Sequence, residues 1–251
     1  MPAYDAASCI GKAIASVRLA VAFAAGTEWP VTAEVVVVDD ASSDATAVLA
    51  EAFATPDCPV RVVRHAANQG AGAARNTGVD AAVHDILCFL DSDDVYLAPH
   101  LAAVAAAFAQ RPEIDFVSTR FQTSRPIHPS WIPGVSAASS LTLGIRKAAH
   151  ERLGGFPPFR FYEDVVYRRL ADRFLTGWYV ENETVVYMWR PGNSFDRQLA
   201  AFEQPMPESG SGPAEGPPAH VWEEFKRRVE ALSAGHVPPP LTPLPLRRGG
   251  E

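Results

Sequence analysis

The sequence predicts an α/β fold: a Rossmann-like, mostly parallel sheet flanked by helices. Three observations carry this. Up to about residue 120, short apolar or β-branched runs alternate with segments of helical periodicity, as strand–helix–strand units require. Two of those runs, residues 34–38 and 86–90, lead directly into acids, Asp39-Asp40 and Asp91-Ser92-Asp93-Asp94, and open α/β sheets bind ligands at the carboxyl ends of their strands. A glycine-rich stretch, Asn68-Gln69-Gly70-Ala71-Gly72-Ala73-Ala74-Arg75-Asn76, follows a third run and opens a helix.

The elements follow in order. Residues 6–23 read as a helix with Ile10, Ile14, Val17 and Val21 on one face at three- and four-residue steps. Arg18 interrupts its apolar stretch, which marks a core helix rather than a secretory leader, and no apolar run in the chain reaches the ~18 residues of a membrane span. Strands are predicted at 34–38, 60–63 and 86–90, and helices at 45–54, 71–82 and 100–109. Residues 124–140 break into Pro, Ser and Gly around Trp131, as in a long loop over a site. A strand at 141–145 and a helix at 147–153 come next, the helix ended by Gly154-Gly155, which tolerate positive φ. A helix at 163–175 and a strand at 184–189 complete the main body. Residues 220–232 form a short helix with Val221, Phe225, Val229 and Leu232 on one face; too short to stand alone, it is expected to dock on the main domain or on a partner. The Pro-rich residues 237–246 read as extended.

The 251 residues, 47% hydrophobic, suffice for one large domain or one domain with an appendage. A net charge of -7 argues against a general nucleic-acid or anionic-membrane binder. Cys9, Cys58 and Cys88 lie far apart without CxxC spacing, so neither a zinc site nor a disulfide framework is indicated, and a reducing compartment fits.

The acids after residue 90 carry the chemistry. Three carboxylates at one strand end repel one another and ask for a counter-charge, which a divalent cation held between sugar and phosphate groups would supply. Asp40 can accept hydrogen bonds from a base or ribose, whereas Ser43 and Asp44 also suit helix capping. Gly70 and Gly72 brush against a dinucleotide fingerprint, with Asp91 about twenty residues on. They begin several residues after the strand, however, and on a later strand than that fingerprint uses. A helix start with glycine amides and Arg75 nearby would favour a diphosphate. His65, His84 and His100 show no partner spacing and read as ordinary surface or core residues.

In order along the chain, Pro2-Ala3-Tyr4-Asp5, the Asp39–Asp44 cluster, the Asn68–Gly78 segment and Phe89-Leu90-Asp91-Ser92-Asp93-Asp94 closely resemble glycosyltransferase family 2, the inverting A-type enzymes, over residues 1–202. The resemblance implies that Tyr4 lies against the nucleotide base and Asp40 hydrogen-bonds it, leaning toward a uridine or thymidine donor. It also implies that Asn68 and Arg75 lie around the nucleotide and its phosphates. Asp91 and Asp93 match the family's DxD pair, Asp91 toward sugar and ribose and Asp93 on a Mn²⁺ or Mg²⁺ bridging the diphosphate; Asp94 reads as structural. Gly154-Gly155-Phe156 followed by Glu163-Asp164 resembles the acceptor-side motif, with Asp164 as catalytic base. The other reading of Asp164 is an N-terminal acid paired with Arg168. Tyr187–Ser194 resembles the late segment in which Arg190 and Ser194 approach the diphosphate; Arg190 packing on an aromatic is the alternative.

The expected organisation is a catalytic domain at 1–202 (a nucleotide-sugar-binding half at 1–120 and an acceptor-side half at 121–202), a Pro/Gly-rich linker at 203–219, and a short helix with a Pro-rich tail at 220–251. The family has a strand ahead of the segment matched by Pro2–Asp5, so the first strand is expected to be truncated, leaving an apolar gap and a native product that starts upstream. The implied activity is metal-assisted, inverting transfer of a sugar from a nucleotide-diphosphate sugar to a hydroxyl of a glycan, lipid or small-molecule acceptor. A catalytically impaired nucleotide-binding relative and a dinucleotide-dependent oxidoreductase are the alternatives. A cytoplasmic place, or one peripheral to the inner face of the membrane, is expected.

Overall fold

The structure is a computed structural model and describes residues 1–124, 139–159, 162–188 and 219–237. Arg190, Ser194 and all but the end residues of the predicted 124–140 loop, the linker and the Pro-rich tail lie outside the described residues, and Ala219, expected in the linker, already belongs to the helix that follows.

A parallel unit opens the chain: β1 (Pro2–Ala3), β2 (Val35–Asp39) and β3 (Val60–Arg64) in that spatial order. Every β2 residue is buried, because helices cover both faces. Val35 and Val37 pack with Ile10, Ile14, Val17 and Val21 of α1 (Ile10–Ala25), whereas Val36 and Val38 face Ala74 of α3 (Ala71–Ala81). Two-sided burial explains why this strand is unbroken valine rather than alternating. α2 (Thr46–Ala52) connects β2 to β3. Asp44 accepts from the Thr46 amide at 3.0 Å and so caps α2, while Ser43 bonds to Asp5 instead.

The second sheet has the order β4-β7-β6-β8-β5, with β4 at Ile86–Cys88, β5 at Val95–Tyr96, β6 at Phe116–Thr123, β7 at Leu143–Arg146 and β8 at Gly177–Tyr187. Of its pairs β6–β8 is parallel and the others antiparallel. β5, β6 and the first half of β8 escaped the periodicity reading. β6 holds Ser118 and Thr119 inside, Ser118 Oγ meeting Thr142 Oγ1 at 3.1 Å and the Thr119 amide donating to the Thr142 carbonyl at 3.1 Å, and residues 177–183 are largely exposed. Neither shows the apolar alternation that marks a strand.

α4 (His100–Gln110), α5 (Lys147–Leu153) and α6 (Glu163–Phe174) flank this sheet. Phe89, Phe116, Leu143, Ile145, Leu153, Phe156, Tyr167 and Leu170 form its core. α7 (Ala219–Ser233) packs on that core through Val221, Phe225, Val229 and Leu232, the face its sequence shows. The helix therefore docks on the main body.

β1 pairs only with the carboxyl end of β2, Pro2 against Val38 and Ala3 against Asp39. Beside it lies a cavity of about 440 Å³, lined by Val36 from β2, Leu87 and Phe89 from the β4 segment, and Val79, Val104 and Phe108 from helices.

Candidate active site

The strand ends bring the first group of candidate residues together. Asp39, fully buried, accepts from the Ser42 amide at 3.0 Å, and its other oxygen lies 2.9 Å from Arg64 Nε. It holds the turn after β2. Asp40 accepts from the backbone N–H groups of Gln69 (2.9 Å) and Gly70 (2.7 Å), and its Oδ1 lies 2.7 Å from His65 Nδ1. The far ring nitrogen of His65 reaches Thr77 Oγ1 at 2.9 Å. Asp40 thus anchors the glycine-rich loop to β2, with Asn68 half-buried just ahead of the two anchored amides. Tyr4, 53% exposed, stands at the edge, beside a turn in which Asp5 (φ 46) accepts from the Ser43 amide at 2.8 Å.

Arg75 joins this edge to the second half of the molecule. Its side chain is buried, with Nη2 donating to Asp91 Oδ1 at 2.8 Å and Nη1 to Glu163 Oε1 at 2.7 Å. Nε has no partner among the described residues, and the guanidinium lies 5.2 Å from the Phe156 ring centroid. Burial works to lower its pKa, but the Asp91, Glu163 and Asp164 carboxylates together outweigh that and raise it. The structure therefore places Arg75 as a strut beneath the site, with both terminal nitrogens committed to carboxylates.

Asn76, next on the same helix, clasps the loop before α6. Its Nδ2 donates to the Phe156 carbonyl at 2.9 Å and its Oδ1 accepts the Phe156 amide at 2.8 Å. Two glycines make that approach possible. A Cβ on Gly72 would stand 2.7 Å from the Pro157 carbonyl and 3.1 Å from Glu163 Cγ, and Gly155 has φ +71 with Asn76 Oδ1 2.8 Å from its missing Cβ. The space at Gly72, read as a possible diphosphate cradle, is filled by Pro157 and Glu163.

Asp91 is 38% exposed at the side chain, so it faces the opening as well as Arg75. Asp94 is buried, closes a turn through its amide onto the Asp91 carbonyl (3.1 Å), and accepts the Met188 amide at 2.7 Å. That is the supporting part its neighbours' motif leaves for it. Asp93 sits between them, half-buried.

α6 starts at Tyr162 (φ 69) and carries Glu163 and Asp164 in its first turn. Burial pushes Asp164 up to about 7, the Glu163 carboxylate adds to this, Arg75 opposes it, and Asp91 raises it further. Burial likewise pushes Glu163 up, against the pull of Arg75. An acid in the first turn of a helix is favoured in its ionised form by the helix dipole, worth at most ~2 kcal/mol, but here enclosure and a like charge outweigh that effect. The alternative partner for Asp164 is also removed. Arg168 turns to Asp172 and to Ser118 Oγ, each at 3.0 Å.

Sequence reasoning missed three side chains. Gly72, Arg75 and Asn76 share one helix face at i, i+3 and i+4, so the docking role of Asn76 was within reach. Glu163 was visible only as a motif letter, and its pairing with Arg75 spans 88 residues. His65 carried no local signal, because its partner Asp40 lies 25 residues away.

Carboxylate oxygens are the donors that Mn²⁺ and Mg²⁺ prefer, and such ions are often held by one or two carboxylates plus substrate phosphates. Among the described residues no three His, Cys, Asp or Glu side chains group to hold a metal unaided. Asp91, partly open and backed by Arg75, with Asp93 two residues on, fits a cation that shares its coordination with a diphosphate.

Helices on both sides of a sheet, with acids at its carboxyl edge and a second helix bringing an acid across, define the A-type glycosyltransferase fold. TarS of S. aureus, in complex with UDP-GlcNAc, shares it with a TM-score of 0.65 at 21% identity, over 76% of this chain and 58% of that one. The mannosyltransferase PcManGT of Pyrobaculum calidifontis, in complex with GDP-Man and Mn²⁺, does so with a TM-score of 0.61 at 18% identity, over 92% and 68%. The family model "Glycosyl transferase family 2" matches residues 1–171, and the chain belongs to that family. Among curated relatives, the succinoglycan biosynthesis protein ExoO of Rhizobium meliloti is 45% identical over 92 residues, 37% of this chain and 24% of ExoO. The chain spans about a quarter of the length of the curated relatives it matches.

Proposed function

We propose that this chain transfers a sugar from a nucleotide-diphosphate sugar to an acceptor hydroxyl, with inversion at the anomeric carbon and with a divalent cation on the diphosphate. The observation that carries the reading is the Arg75 strut, which ties Asp91 at the donor-side strand end to Glu163, the neighbour of Asp164. A donor-side acid and an enclosed carboxyl with a pKa near neutrality are thereby held in one site, the arrangement a direct displacement needs.

In this reading Tyr4 covers the base, Asp40 and the loop it anchors receive the nucleoside, Asn68 lies against the nucleotide, and Asp91 orients the sugar. Arg75 acts from below, positioning Asp91 and Glu163 rather than touching phosphate. Asp91 and Asp93 would hold Mn²⁺ or Mg²⁺, which when bound offsets the charge growing on the departing diphosphate. Arg190 and Ser194 are proposed to reach the diphosphate from the segment after β8. The acceptor oxygen attacks the anomeric carbon opposite the diphosphate, the sugar–phosphate C–O bond breaks, and its electron pair leaves on the diphosphate. Asp164 takes the hydroxyl proton. A carboxyl with a pKa about 7 is a stronger base than an ordinary Asp and is still ionised in half the molecules at neutral pH.

UDP-GlcNAc on TarS and GDP-Man with Mn²⁺ on PcManGT support a nucleotide-sugar donor and a divalent metal, without choosing the base. The acceptor is proposed only as a hydroxyl of a glycan, lipid or small molecule. No helix among the described residues is long and apolar enough to cross a membrane.

A thermal-shift panel of nucleoside diphosphates with and without Mn²⁺ tests the donor side. One diphosphate is expected to raise the melting temperature with Mn²⁺ present, and Asp93→Asn to lose the metal-dependent part. If no diphosphate stabilises the chain at millimolar concentration in either condition, the reading fails.

A further inference from the structure

Helix α7 lies beyond residues 1–171, where the family match ends, yet its most buried side chain reaches the acceptor-side motif. Arg228 is 1% exposed. Its Nη1 faces the carbonyls of Leu153 (3.4 Å), Gly154 (3.2 Å) and Gly155 (2.8 Å), and its Nε donates to Glu224 Oε1 at 2.7 Å. These carbonyls end α5, where the helix has no backbone donors left to offer and its dipole favours a cation. Glu224, also bonded to Arg227 at 2.7 Å, balances the charge that Arg228 takes inside.

The shortest of these contacts falls on a particular peptide unit. The Gly155 carbonyl receives Arg228, and the N–H of the same peptide bond, that of Phe156, donates to Asn76 Oδ1. One peptide is therefore gripped from α7 on one side and from α3 on the other. The chain continues from it through Pro157, packed against Gly72, to Glu163 and Asp164.

We propose that Arg228 is a positioning residue of the active site: by fixing the Gly155–Phe156 peptide against Asn76 it sets the loop that presents Glu163 and Asp164, so that α7 is a working part of the enzyme. This rests on the transferase reading above for its effect on rate, but not for its effect on the loop. Lysine at this position keeps the charge but offers a single point of donation, which cannot serve the carbonyls and Glu224 with the geometry of a guanidinium. Methionine keeps the apolar stem alone.

The test compares the full chain with Arg228→Met and Arg228→Lys by hydrogen exchange and by transfer kinetics. The Phe156 amide is expected to exchange roughly tenfold faster or more in both variants, with the β2 amides unchanged, because local opening and global unfolding are separable. Transfer should lose roughly tenfold or more in kcat with donor KM within about twofold, the mark of lost positioning rather than lost binding. If Arg228→Met does not fold, Arg228→Lys decides. Phe156 exchange within about twofold of the unmutated chain in the folded variants overturns the proposal. So does faster exchange with unchanged kcat, or an acceleration spread equally through β2. An unmutated chain that transfers no sugar defeats the transferase reading, and the exchange result still decides whether Arg228 holds the loop.

Discussion

Arg75→Met removes the guanidinium that faces Glu163 and Asp91, and the loss of stability should depend on pH. Glu163 is 8% exposed at its side chain, so water cannot take over the role of Arg75. The variant relieves itself by protonating Glu163 in the folded state. Taking up a proton on a group whose ordinary value is 4.5 costs at most about 3 kcal/mol at pH 7 and under about 1 kcal/mol at pH 5, at ~1.36 kcal/mol per unit, and burial already exacts part of this in the unmutated chain by raising Glu163. Asp91, more than a third exposed, adds little after solvent screening. The sign follows: folded variant molecules hold a proton that unfolded ones release above the ordinary value, so the variant's stability falls as pH rises. Urea unfolding at pH 5, 6 and 7 measures it. We expect Arg75→Met to lose up to about 3 kcal/mol at pH 7 and much less at pH 5, with Glu163→Gln recovering most of the pH-dependent part in the double variant. Equal losses at pH 5 and pH 7, or a loss at pH 7 under about 1 kcal/mol, would refute the strut as the ionic link between the two halves.

Asp164, raised to about 7, should make kcat rise with pH through neutrality and fall away in acid, and Glu163→Gln should move that midpoint down, since Glu163 contributes to the shift; a rate profile from pH 5 to 9 measures both. The same shift means that the folded state loses stability as pH rises from the ordinary Asp value of 3.8 to about 7, so Asp164→Asn should raise the melting temperature, more at pH 8 than at pH 5. Gly72→Ala places a methyl 2.7 Å from a backbone carbonyl and should cost about 1–3 kcal/mol by chemical denaturation. Asn76→Ala deletes both hydrogen bonds to Phe156 and should cost about 2 kcal/mol, with faster exchange of the Phe156 amide.

Much of this was legible in the sequence, and for identifiable reasons. The valine run of β2, the stripe of α1 and the apolar face of α7 are periodic and local, and each element formed within a few residues of its predicted bounds. Strand β5 was not legible because it is two residues long and defined by pairing with β8, and β6 because its residues mix polar with apolar and its partners lie far along the chain. At the site, the acids at strand ends announced themselves by crowding. What they do was less visible: Asp39 serves the turn, Asp40 the glycine loop, and Asp94 the Met188 amide. Arg75 reads as a phosphate ligand from its place at a helix start, but it is buried between two carboxylates, since Gly72 lets Glu163 approach. The protonation of Asp164 depends on enclosure by residues far along the chain, which the first-turn dipole rule does not contain.

The most direct measurement is nucleoside-diphosphate release from a stabilising nucleotide sugar by the unmutated chain and by Asp164→Asn, with donor affinity measured on both. The account predicts that Asp164→Asn binds donor within about twofold of the unmutated chain and loses roughly 10²-fold or more of the release rate, as for a general base. Release at an undiminished rate by Asp164→Asn would contradict it.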